Sequence, residues 1–91
     1  MKDERGLYYH PEPGNARARV YVRANADGAV EFRLWQADQP EIWEGHQWIT
    51  MDVIRNAARH YTREGGNDPT ALYDMAVARA LLAEEARESG A

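Results

Sequence analysis

Residues 16–37, ARARVYVRANADGAVEFRLWQA, alternate apolar and polar side chains on both sides of an Asp-Gly pair. Ala18, Val20, Val22 and Ala24 are interleaved with Arg17, Arg19, Tyr21 and Arg23, and Val30, Phe32 and Leu34 with Glu31, Arg33 and Trp35. That is the period-two pattern of two half-buried strands. The turn must agree with it. A two-residue turn at Asp27-Gly28 would set position 24 against 31, so apolar residues of one strand would meet polar residues of the other. A three-residue loop, Ala26-Asp27-Gly28, with Gly28 in the left-handed conformation of a G1 bulge, opposes 24 with 30, 22 with 32 and 20 with 34. One apolar face results, and this is the register predicted. The polar face of the same hairpin then sets Arg19 opposite Trp35, Tyr21 opposite Arg33 and Arg23 opposite Glu31.

The rest of the chain is organised around this hairpin. Residues 1–6 read as a disordered tail, and Leu7-Tyr8-Tyr9-His10 as an edge strand or extended lead-in, stopped by Pro11-Glu12-Pro13-Gly14. Asp38-Gln39-Pro40 ends the second strand, since proline lacks the ladder donor. In 41–49, EIWEGHQWI, the residues Trp43, Trp48 and Ile49 want burial while Gly45 suggests a turn, which allows a third strand on either side of it. Thr50 is a suitable N-cap, Asp52 suits the first turn, and Ile49 and Ile54 have the spacing of a hydrophobic staple. Met51, Ile54, Ala57, Ala58 and Tyr61 form one stripe, and Gly65-Gly66 supplies a stop, so a first helix is predicted at about 51–64. Asn67-Asp68-Pro69 offers a cap and a first-turn proline for a second helix at about 69–87, with 88–91 a second disordered tail.

The fold expected is α+β in a single domain spanning 1–91. An antiparallel β-hairpin at about 16–37, or a short three-stranded meander if 41–49 adds a strand, packs against the two C-terminal helices. The short connection between the helices predicts an antiparallel pair, with Ile54, Ala58 and Tyr61 against Leu72, Ala76 and Val77.

Composition narrows the function classes. Ninety-one residues with 44% hydrophobic content, three Trp and five Tyr can hold a modest core. There is no Cys, so disulfides, thiolate metal sites and thiol nucleophiles are excluded. The N-terminal MKDERGLYYH lacks the apolar run of a signal peptide, and no stretch approaches the ~20 apolar residues of a membrane span. A cytoplasmic protein without membrane attachment is expected. The only Ser is Ser89 and the only Lys is Lys2, which leaves nucleophilic catalysis little to work with. Glu44, His46 and Asp52 surround the Trp-rich segment, but Glu-x-His lacks the i, i+4 spacing of a zincin, and His10 and His60 have no nearby ligand partner. No catalytic residue, metal or cofactor is implied.

Two surfaces invite a binding function. The first is basic and aromatic: Arg55, Arg59 and Arg63 recur every four residues along the first helix, while Arg19, Tyr21, Arg33 and Trp35 share the hairpin's polar face. Exposed rings among arginines can stack bases as single-strand binders do. The same residues also make good cation-π and ion pairs for one another, and the net charge of -4 gives no global attraction to nucleic acid. The second surface is apolar. On the second helix Leu72, Tyr73, Ala76, Val77, Ala80 and Leu81 span enough of the circumference to cover the sheet and the first helix. Ala71, Met75, Ala78 and Leu82 then form a second stripe on the opposite side, open to a partner or a second copy, or to the Leu7-Tyr8-Tyr9 segment folding back over it. The function expected is a small non-enzymatic protein-interaction or regulatory module, self-associating through that stripe or holding another protein. The alternative is nucleic-acid binding through the arginine surfaces.

Overall fold

The computed structural model describes residues 1–12, 14–45, 47–63 and 73–90, with side chains at 60–63, 89 and 90 outside the description. Among these residues five strands form one antiparallel sheet in sequential order: β1 (Lys2–Asp3), β2 (Gly6–Tyr9), β3 (Ala18–Ala24), β4 (Val30–Gln36) and β5 (Ile49–Thr50). Among the described residues three helices accompany it: α1 (Glu41–Gly45), α2 (Met51–Arg63) and α3 (Met75–Gly90). The class is α+β.

The central hairpin has the register that parity demands, with Ala24 opposite Val30, Val22 opposite Phe32 and Val20 opposite Leu34. Gly28 has φ of 82°. Its N–H donates to the Asn25 carbonyl at 2.9 Å, and the Asn25 N–H donates to the Ala29 carbonyl at 2.9 Å, closing the three-residue loop. The Asn25 Oδ1 accepts from the N–H of Asp27 and of Ala29, so the side chain supports the turn as well.

Around the hairpin the sheet is wider than the sequence suggests. Leu7-Tyr8-Tyr9 is a paired strand, with Leu7 opposite Val22 and Tyr9 opposite Val20. Residues 1–6 are not a tail: Lys2 pairs with Leu7, Asp3 pairs with Gly6, and the Lys2 ammonium lies 3.2 Å from Glu85. At the other end α3 continues through Gly90, so 88–90 are helical too. Among the described residues of 41–49, Glu41–Gly45 is a short helix and Ile49 begins the two-residue strand β5. The N–H groups of Ile42 and Trp43 donate to the carbonyls of Gln39 and Pro40. Proline just before the first helical residue favours this start, because its missing N–H is not needed there.

One face of the sheet carries the main core. Val20, Val22 and Phe32 pack with Met51 and Ile54 from α2 and Ala78 from α3, with Leu7, Tyr9, Leu34, Ile49, Tyr73, Met75 and Leu81 around them. α2 begins after Thr50 as its cap predicts. Among the described residues α2 lies chiefly on β4 and β5 and α3 on β2, β3 and β4, rather than chiefly on one another as an antiparallel pair would. Val77 is 37% exposed and Ala76 is exposed, whereas Ile54 is buried. The Tyr61 side chain, Leu72 and the Gly65-to-Pro69 connection lie outside the description.

The start of α3 differs as well. Asp74 is its N-cap, its Oδ1 accepting from the N–H of Ala76 at 2.9 Å and of Val77 at 3.1 Å. Tyr73 and Asp74 are non-helical, so no continuous helix runs over 69–87.

Candidate arginine-aromatic face

The orientation of α3 decides which predicted site is available. Ala78 is 0% exposed, Met75 and Leu82 are half-buried, and Met75 packs against the core; Ala71 is outside the described residues. Met75, Ala78 and Leu82 of the stripe expected to meet a partner therefore lie towards the sheet of their own chain, Leu82 lining a hollow with Leu7 and Val22. Ala76, Val77 and Ala80, expected inside, face outward. The reason is that α3 is apolar on both sides, and β2 supplies Leu7 and Tyr9 as a wall for the Met75 side. The N–H of Asp74 donates to the Tyr9 hydroxyl at 2.7 Å, fixing the first turn of α3 above β2.

The other face of the sheet gathers the arginines and rings. Alternation puts Tyr8 of β2, Arg19, Tyr21 and Arg23 of β3, and Glu31, Arg33 and Trp35 of β4 on this side. α1 brings Trp43 over them, and the residues before β5 bring Trp48. The Arg19 guanidinium carbon lies 4.6 Å from the Tyr8 ring centroid and 4.8 Å from that of Trp35, its predicted cross-strand partner. Arg23 lies 4.3 Å over Trp48, and its Nε donates to Glu31, also as the register predicts, at 2.8 Å. Arg33 stands opposite Tyr21 as the register predicts, but its guanidinium stacks on Trp43 at 4.0 Å and donates to the Trp43 carbonyl through Nε and Nη2. Arg5, from the turn between β1 and β2, approaches Trp43 at 5.5 Å.

Tyr21 is not an exposed stacking surface. It is 0% exposed, edge-on to Trp43 at 5.1 Å and tilted against Tyr8 at 5.3 Å. Its hydroxyl donates to Asp3, whose Oδ2 also accepts from Arg19 Nη1 at 2.9 Å. Burial pushes the Tyr21 hydroxyl above its ordinary value, reinforced by the bond to Asp3. Burial also pushes the Asp3 carboxyl up, but the Tyr21 hydroxyl, the Arg5 N–H and the Arg19 charge together hold it below its ordinary value.

Among the described residues four arginines lie over rings, in a chain where about one such pair per 70–80 residues is usual. The arrangement is thus concentrated beyond what a sheet face ordinarily carries. Arg23 and Trp48 form a ridge between two open hollows. One is lined by Arg33, Glu31, Glu44 and Gln47, the other by Arg5, Leu7, Val22, Leu82 and Glu85. Three arginines face three glutamates there, so the lining is close to neutral.

Of the other candidates, Arg55 and Arg59 are exposed on α2, and Arg63 ends that helix. Glu44 and Asp52 are exposed, and His46 and the side chain of His60 are outside the description. His10 donates through Nδ1 to the Ala18 carbonyl at 3.0 Å. Sequence reasoning missed Tyr8, Arg5, Trp43 and Trp48 as members of the face; the signal for Tyr8 was the parity of Leu7-Tyr8-Tyr9. No helix among the described residues is long and apolar enough to cross a membrane. No family model matches the chain, and no curated protein and no solved structure matches it.

Proposed function

We propose that the chain is a small non-enzymatic interaction module that docks another protein on the arginine-aromatic face of its sheet. What carries this reading is the ridge of Arg23 stacked on Trp48, neither side chain buried, between two open hollows. Tryptophan, tyrosine and arginine contribute most at protein interfaces, because they bury large area and still offer directed polar groups. These rings are already held by their neighbours, so docking costs little further side-chain freedom. The near-neutral lining fits a partner surface of mixed charge around an apolar centre rather than a strongly anionic polymer. A second copy of the chain is one such partner, and solution size across concentrations identifies it. The non-enzymatic part rests on the scarcity of nucleophiles in the sequence.

Single-stranded nucleic acid is the second reading, favoured by Arg55 and Arg59 exposed on α2 together with the rings of the sheet face. The test is capture of partners from source cells by the wild type and by Trp48→Ala, beside titration with single-stranded oligonucleotides at two salt concentrations. A protein held by the wild type and lost by Trp48→Ala is the expected result. A protein held equally by both, or submicromolar salt-dependent oligonucleotide binding, overturns it.

A further inference from the structure

We draw no further inference here: the strongest candidate, the outward face of α3 where Ala76, Val77, Ala80 and Ala83 stand exposed, is an apolar helix face with nothing in the structure to show what covers it.

Discussion

Arg33 holds Trp43 in two ways: its guanidinium carbon lies 4.0 Å from the indole centroid, and its Nε donates to the Trp43 carbonyl oxygen at 3.1 Å. α1 has five residues, none fully buried, and is too short to be helical alone. Trp43 is therefore the main fastening of α1 to the sheet. Trp43→Ala is expected to cost about 2–3 kcal/mol, below the full range for a buried tryptophan because the ring is only half-buried. Arg33→Ala should cost about 1 kcal/mol. Urea denaturation of both variants and the double variant should give a coupling near 1 kcal/mol; strict additivity would show that the pair does not hold α1.

Gly28 tests the hairpin. A Cβ there would meet no atom within 4 Å, so any loss on substitution reports the positive φ alone. Gly28→Val is expected to destabilise by about 1 kcal/mol or more and Gly28→Asn by less, since asparagine tolerates that region. Equal stability of all three chains by thermal unfolding would mean the loop is not a G1 bulge.

Asp74 and Tyr9 tie the start of α3 to the sheet. Loss of the cap in Asp74→Ala should cost about 1 kcal/mol. Burial pushes the Tyr9 hydroxyl up to about 12; the hydrogen bond from the Asp74 N–H works against that rise, and the charges of Asp74 and Tyr73 add a smaller push upward. A hydroxyl whose value is higher folded than unfolded contributes stability that is fully present below pH 10 and lost as pH rises through about 12. The wild type should thus lose stability between these values, and Tyr9→Phe should flatten that slope. Denaturation at a series of alkaline pH values checks this, and an unchanged slope in Tyr9→Phe would contradict it.

Asp3 gives the acid counterpart. Its carboxyl is held below the ordinary value near 3.8, so its contribution is present above that value and lost as pH falls through the folded one. In Asp3→Asn the acid limb of the stability curve, followed by denaturation at a series of acidic pH values, should become shallower. Identical acid limbs for Asp3→Asn and the wild type would show that β1 is not anchored by this carboxylate.

The legible parts of the fold were those decided locally. Parity and turn length together fix the register around Gly28, and Thr50 with Asp52 marks the start of α2. The parts that were not legible depend on residues far apart in sequence. Tyr21 sits at a polar-face position, and besides Tyr8 beside it, Trp43 from α1 and Asp3 from β1 fold over from opposite ends of the sheet to cover it. α3 offers two apolar sides, and the choice between them follows from the Asp74 cap and the Leu7–Tyr9 wall. At Trp43 the aromatic residues suggested a strand, but hydrogen bonds back to Gln39 and Pro40 made a helix. The arginine-ring pairs on β3 and β4 could be read as cross-strand neighbours, while those of Arg5 and Arg33 with Trp43 could not.

Photo-crosslinking in source cells tests docking on the sheet face most directly, with a benzophenone side chain placed at Gln47 beside the hollow or at Ala80 on the outward face of α3, both exposed. Binding through the arginine-aromatic face predicts a protein crosslink from position 47 that Trp48→Ala abolishes, and none from position 80. Crosslinks from position 80 alone, or from position 47 undiminished by Trp48→Ala, would contradict it.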